Sequence, residues 1–445
     1  MSDNTAPEDR PVNIRWLPPG MRPPGGMTAR QGRVFLLVGI AMLFAGYDMN
    51  VFGLASPQIQ ASLNIPQDKL SVTLAFIRLA TLAAIVLAWT ADLVGRRRLL
   101  LITIFGQAFA TLATGFVQDY QQFVWCQIVT RVFGYAEEML CYVVIAEEMA
   151  AIARGWSSGT LATLNYMGGG VASLVFAAVT LLPYGWRSLY VIGSIPLFLV
   201  GYMRRYLPET QRFEVREHEV EKVPSRLGTA LDIIRRLVHE HPKRLTGILV
   251  AAGAFGFAIW PAEFLWPWYL QNGFGFKAYE TTLLIIPGGL IVVFFNIWFG
   301  RISDRIGRRA VAVTGCLLTT AGYCLFYSGL QWKYLPLVWV PSFLGFLIAD
   351  ALIAGLSAEL FPTAYRATVS GLRYLAAIMA GAVSLALEGP LYDVFHAWGF
   401  DVYRAHGPAV IVLLMAMPIA IIALLKLPEP AGRSLEDIAA EPDRK

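Results

Sequence analysis

The sequence predicts an all-α polytopic membrane protein, with twelve transmembrane helices in two pseudo-symmetric six-helix bundles. Three observations carry that prediction. First, 56% of the 445 residues are hydrophobic and only 15% are charged, against about a quarter charged in a soluble domain. Second, the apolar residues form continuous blocks near the ~20 residues a helix needs to cross a bilayer, with the charges collected between them. Blocks that do not alternate are helices rather than barrel strands. Third, the chain repeats itself. The turn Asp92-Leu-Val-Gly95-Arg96-Arg97 returns as Asp304-Arg-Ile-Gly307-Arg308-Arg309 at an offset of 212, and Glu147, Arg154, Ser158 and Gly159 match Glu359, Arg366, Ser370 and Gly371 at the same offset. Two separate landmarks sharing one offset indicate an internal duplication, one bundle per copy.

Residues 1–32 are polar and proline-rich and lack the apolar core and cleavage site of a signal peptide, so they read as a cytoplasmic tail. The first bundle, 33–206, holds spans at 33–56, 70–90, 98–116, 121–148, 158–182 and 187–206. Short loops make consecutive spans antiparallel neighbours. Residues 207–243 form the long internal connection, where Leu227, Leu231, Ile234 and Val238 recur at helical spacing among Arg226, Arg235, Arg236 and Lys243. That pattern predicts an amphipathic helix, lying on the inner membrane surface or against the bundle ends. The second bundle, 244–427, holds spans at 244–270, 281–301, 311–329, 334–356, 367–388 and 405–427, and residues 428–445 form a second polar tail.

Charge sets the orientation. With the N-terminus in the cytoplasm, 28 of the 36 Lys and Arg residues lie in cytoplasmic segments, five in the opposite loops and three inside spans. Both termini are therefore expected inside, in a bacterial inner membrane. The net charge of +5 then needs no nucleic-acid partner. Cys126, Cys141, Cys316 and Cys324 all fall within apolar blocks, without disulfide or metal-ligand spacing, and read as small core residues. There is no P-loop or Gly-rich nucleotide fingerprint, so no cofactor is expected. A clustered nucleophile and base, which an enzyme would need, is missing as well.

The paired turns resemble the signature of the major facilitator superfamily: a Gly, an Asp four residues on, then Gly-Arg-Arg or Gly-Arg-Lys. The copy opening at Gly300 fits throughout, and the first has Ala88 at the leading position, still small enough for close helix approach. The Glu147/Arg154 turn, its repeat Glu359-Leu-Phe-Pro-Thr-Ala-Tyr-Arg366, Leu207-Pro-Glu-Thr-Gln-Arg212 and Pro428-Glu-Pro-Ala-Gly-Arg-Ser-Leu435-Glu436 resemble the branch of sugar porters, metabolite:proton symporters and organic-ion carriers. The likeness runs from about residue 33 to 438. It implies transport by rocking of one bundle against the other. It also implies a cytoplasmic gate of charge networks that join the bundles and break on inward opening, built from Asp92, Gly95, Arg96, Glu147, Arg154, Asp304, Gly307, Arg308, Glu359 and Arg366. Without the resemblance, arginines just outside the bilayer are explained by topology alone.

Ionisable groups deep in a span cost several kcal/mol unless paired or wetted, which makes them functional candidates. The acids are Asp48, Glu137, Glu138, Glu263, Asp350 and, near a span end, Glu388; the cations are Arg78, Arg131 and Arg373. Glu138 and Asp350 are equivalent by the 212 offset. Asp48, in Gly46-Tyr-Asp48-Met-Asn50, resembles the first helix of proton-coupled members, and the resemblance implies that it takes the proton beside an arginine of the fourth helix. That arginine's position is Gln127 here. Arg131, one turn deeper, either replaces it or pairs with Glu138. Glu137, where metabolite:proton symporters have Gly-Gly-Glu, is the rival proton site. No histidine is assigned to a span, so no histidine relay is expected.

The seventh span carries Trp260, Pro261, Glu263, Trp266, Pro267 and Trp268. Prolines there free carbonyls that are tolerated beside a cavity. Trp260 and Glu263 are the lining candidates, with Arg78, Gln127, Asp350 and Arg373, while Trp266 and Trp268 read as an interfacial belt. The Gln-Gln and Asn pattern of sugar porters is missing, which counts against a hexose. Gly168-Gly169-Gly170 predicts close helix packing.

The expected function is secondary active transport by alternating access, with proton-coupled symport of a small organic metabolite and a carboxylate favoured by the three arginines. The alternatives are a proton-driven exporter of an organic cation or drug, a sugar transporter, or a non-transport sensor on the same fold. The expected partners are the substrate, protons and the lipid bilayer, with the chain working as a monomer.

Overall fold

The computed structural model describes Pro23 and residues 26–90, 95–149, 153–205, 234–362 and 365–430. Regular structure among them is helical: α1 (Ala29–Leu63), α2 (Gln67–Trp89), α3 (Arg96–Thr114), α4 (Tyr120–Glu148), α5 (Arg154–Ala177), α6 (Trp186–Arg204), α7 (Pro242–Trp268), α8 (Ala278–Ile306), α9 (Arg308–Tyr327), α10 (Leu335–Glu359), α11 (Arg366–Ala397), α12 (His406–Leu414) and α13 (Met417–Lys426). Eleven predicted spans have one helix each, and the twelfth is split into α12 and α13. Pro418 opens α13 and has no N–H to continue the ladder of α12. Eight spans, α1, α2, α5, α7, α9, α10, α11 and the α12–α13 pair, are long and apolar enough to cross a membrane by composition alone. Arg131, Glu137 and Glu138 keep α4 out of that set.

Helix ends follow local chemistry. Asp119 caps α4 by accepting the backbone N–H of Gln122 at 2.8 Å. Gly95 and Gly307 open α3 and α9 at φ of 99° and 121°. Side chains rarely adopt that backbone, which explains the second glycine of each repeated turn. Pro261 and Pro267 do not interrupt α7. The helix runs through both and ends in a π turn, Tyr269–Gly273. Tyr327 of α9 is held against the same stretch, its Oη donating to the Ala262 carbonyl at 2.8 Å.

The chain divides into two compact units: residues 1–63 with 80–221, and residues 64–79 with 222–445. In the first, α1 lies against α5 so closely that a Cβ at Gly46 would strike the Asn165 backbone, and one at Gly168 the Leu43 carbonyl. Around that contact, Val34, Leu37, Val38 and Met42 of α1 pack with Leu99, Leu100, Leu140, Val144 and Leu161. In the second, Gly256 of α7 meets the Ala377 backbone of α11, and Gly315 of α9 meets Gly345 of α10. The first half of α2 belongs to this unit, with Gly389 of α11 against the Asp68 carbonyl.

The tails at 1–22 and 431–445, and residues 206–233 of the connection, including Leu227, Leu231 and Arg226, lie outside the described residues. The described end of the connection is helical over 234–240, with Leu237 buried and Val238 exposed. Cys141 and Cys316 are buried, Cys126 and Cys324 half-buried, and all four are unbridged.

Candidate functional site

Asp48 sits on α1 two residues beyond the Gly46 contact and is fully buried. From α3, Thr111 Oγ1 donates to it at 3.0 Å and Gln107 Nε2 at 3.3 Å. Arg131 of α4 acts on it by charge. The guanidinium is anchored beside it, donating to the Met49 carbonyl at 3.2 Å and also contacting Met49 Sδ. Gln127 is turned elsewhere, its Nε2 donating to Thr114 Oγ1 at 3.2 Å. The site suits both protonation states: the Thr111 hydroxyl can donate or accept, and Gln107 Oε1 is buried without a partner and open to an acid proton. Thr111 and Gln107 left no sequence signal, since single polar residues in a span are common.

Glu137 is locked in place. It forms an ion pair with Arg204 of α6, accepts the Thr103 hydroxyl, and receives Cys141 Sγ at 3.4 Å. Arg204 is 1% exposed and also reaches the Leu37 carbonyl at 3.5 Å. Sequence position grouped Arg204 with the cytoplasmic cations, and the structure puts it inside the unit. Glu138 is half-buried, without a hydrogen bond or ion pair among the described residues, and Arg131 is turned to Met49 and Asp48 instead.

In the second unit, the Arg78 guanidinium of α2 lies 3.4 Å from the Trp260 ring centroid and 5.7 Å from that of Phe264. Arg373 of α11 and Asp350 of α10 face each other at 3.8 Å. Asp350, which also feels Arg78, keeps 46% of its side-chain surface accessible, while Arg373 keeps 12% and has a buried Nε without a partner. Glu263 accepts the Tyr323 hydroxyl at 2.7 Å.

Two expectations fail here. Trp266 and Trp268 are buried, against Trp339 at 4.9 Å and His406 at 4.6 Å, so they are core residues and not an interfacial belt. His406 lies in α12, within the twelfth span, fully buried and 2.7 Å from Glu388. The chain therefore does hold a histidine at span depth, and its number already fell within 405–427.

The charged turns form equivalent pairs within each unit: Arg96 to Glu147 at 3.1 Å, and Arg308 to Glu359 at 3.3 Å. Arg366 Nε donates to the Phe361 carbonyl at 3.1 Å. Asp92 and the side chains of Arg154 and Asp304 are outside the described residues. Glu429, of the Pro428–Glu436 tail motif, accepts the backbone N–H groups of Arg308 at 2.8 Å and Arg309 at 3.0 Å. A carboxylate there meets the positive end of α9. Arg309 in turn donates to the Leu425 and Leu427 carbonyls at 3.0 and 2.7 Å, where α13 ends. The Tyr365 hydroxyl, at the turn before α11, donates to Glu240 at 2.7 Å, and this bond raises the Tyr365 pKa.

The profile of the Major Facilitator Superfamily matches residues 38–385 and 289–443. The chain belongs to the Major Facilitator Superfamily. It is a multi-pass membrane transporter of that superfamily, with its twelve-helix fold in two bundles. It is similar to the cis,cis-muconate transport protein of Acinetobacter baylyi, 25% identical over 367 residues, covering 80% of this chain and 86% of that protein. It also resembles the sialic acid transporter of Escherichia coli, 27% identical over 355 residues, covering 77% and 83%. A solved D-xylose–proton symporter shares the fold at TM-score 0.70 with 17% identity, over 91% of this chain and 99% of that one. These relatives and structural neighbours are transporters of the superfamily, not enzymes.

Proposed function

We propose that this superfamily transporter carries a small organic carboxylate together with protons, inward across a bacterial inner membrane, with both termini cytoplasmic. The observation that carries the proton half is Asp48, a buried carboxylate with a cation beside it and neutral partners able to serve it charged or protonated. Moving Arg131 toward or away from it would change its hold on the proton. Glu137 is the weaker candidate, because releasing it would break a buried ion pair at about 3–5 kcal/mol.

The substrate half rests on Arg373. Its contact to Asp350 is longer than a hydrogen bond and its Nε is unpartnered, so the guanidinium has donors left for an incoming carboxylate. Trp260, with the Arg78 guanidinium over its ring, offers apolar surface for the carbon skeleton. Muconate and sialic acid, named for two relatives, are both carboxylates. The Arg96–Glu147 and Arg308–Glu359 pairs and their neighbours are the proposed cytoplasmic gate.

The test is uptake of cis,cis-muconate and sialic acid into proteoliposomes with and without an inward proton gradient. We expect one of these carboxylates to accumulate only with the gradient. Asp48→Asn should abolish accumulation while leaving exchange of labelled for unlabelled substrate. Arg373→Gln should raise KM by about tenfold or more, the effect of removing one member of a desolvated charge contact. Accumulation that ignores the gradient, or survives Asp48→Asn, overturns the proton assignment.

A further inference from the structure

One buried polar cluster of the second unit takes no part in the proposed transport site. Glu388 of α11 and His406 of α12 are both fully buried, and they meet at 2.7 Å between Oε1 and Nδ1. The other carboxylate oxygen accepts the hydroxyl of Ser71, itself buried, from the first half of α2. Rings box in the imidazole: Tyr392 stacks on it at 4.3 Å, and Trp268 of α7 meets it at 4.6 Å with planes 69° apart. Its Nε2 is buried without a hydrogen-bond partner. Several charged or titratable groups surround the pair without bonding to it. Asp68 of α2, Asp393 of α11 and Asp401 of the α11–α12 connection act on Tyr392, Arg404 acts on Tyr269, and Tyr327 of α9 feels Glu388.

Charge counting decides what this cluster can do. A carboxylate beside a neutral imidazole leaves one net negative charge in a dry site, which costs several kcal/mol. In that state Nδ1–H donates to Glu388 and Nε2 presents a bare lone pair to nothing. One added proton makes an imidazolium–carboxylate pair with no net charge, and the Trp268 and Tyr392 rings then serve the cation.

We propose that Glu388 and His406 form a proton-binding site of the second unit, and that the bound proton holds the first half of α2 onto α11 through Ser71. Protonated, the pair is neutral overall and stays dry. Deprotonated, it carries a net negative charge that draws in water and loosens residues 67–79. The site is built without Asp48 and needs no substrate, so it stands or falls independently of the transport reading.

The test uses the purified full chain in detergent without substrate. A protonated imidazole quenches a neighbouring indole, so Trp268 emission reports the proton on His406. Fluorescence is followed between about pH 5 and 8, where imidazole titrates. We expect a step that is lost in His406→Gln, in Trp268→Phe and in Glu388→Gln, and kept in His396→Gln. In parallel, amide exchange of residues 67–79, corrected for the intrinsic pH dependence, should be about tenfold faster above the step than below it, the change expected when water drawn to the unpaired carboxylate takes over one hydrogen bond, that of Ser71. Ser71→Ala should exchange fast on both sides. A step that survives in His406→Gln or Glu388→Gln, or wild-type exchange that is equal on both sides, overturns the proposal. The exchange measurement needs no variant to fold.

Discussion

Removing Arg204 strands the Glu137 carboxylate in a dry site, at about 3–5 kcal/mol. Arg204→Ala is therefore expected to lower the unfolding midpoint in detergent sharply. The double variant Glu137→Leu with Arg204→Met should recover much of the loss, because apolar isosteres remove both charges at once. A single variant as stable as the parent would mean that water reaches the pair. Glu137 was legible from sequence as a buried acid, whereas its partner was not. An arginine at the end of the span 187–206 is what membrane topology alone demands. Nothing in hydropathy says that its side chain turns inward to 1% exposure. His406 escaped for the same reason, lying at the edge of a span where polar residues are unremarkable. Asp48 stood out because it lies mid-span, and Arg131 because it follows the helical repeat.

At the scale of helices, the glycines of α1 and α5 make opposite predictions from one residue type. A side chain at Gly46 or Gly168 meets backbone, which cannot step aside, whereas one at Gly159 meets open space. Gly168→Leu should abolish recovery of monodisperse protein. Gly159→Ala should raise the melting midpoint slightly, by about 0.5–1 kcal/mol of helix propensity. Size-exclusion profiles and thermal scans of the two variants check both. Equal behaviour would show that α1 and α5 pack more loosely than the geometry requires. The order and number of helices were legible, but their limits were not. Helix α1 continues to Leu63 and α11 to Ala397, beyond predicted ends at 56 and 388. Apolar runs mark the thickness of the bilayer, and a helix can carry on outside it with polar residues.

Over the whole molecule, the duplication is written in chemistry as well as in sequence. The same offset that relates the two turns relates their ion pairs, yet the pairs differ in setting. Arg96 and Glu147 keep 8% and 13% of their side-chain surface, Arg308 and Glu359 keep 27% each. Glu359→Gln should therefore cost about 1 kcal/mol or less, as exposed pairs do, and Glu147→Gln distinctly more. Denaturation of the two variants under one set of conditions decides the order, and the reverse order would mean that solvent screens both pairs alike. The carboxylate of Glu429 has a consequence of another kind, because it lies 121 residues after the Arg308 amide it caps. At 5–20 residues per second, a ribosome takes roughly 6 to 24 s to supply it. Throughout that interval the start of α9 is already made but uncapped, so the second unit closes its signature turn among the last events of its synthesis. A nascent chain stalled before Glu429 should thus be cut by protease at the α8–α9 turn faster than the released protein, in which Glu429 holds the start of α9.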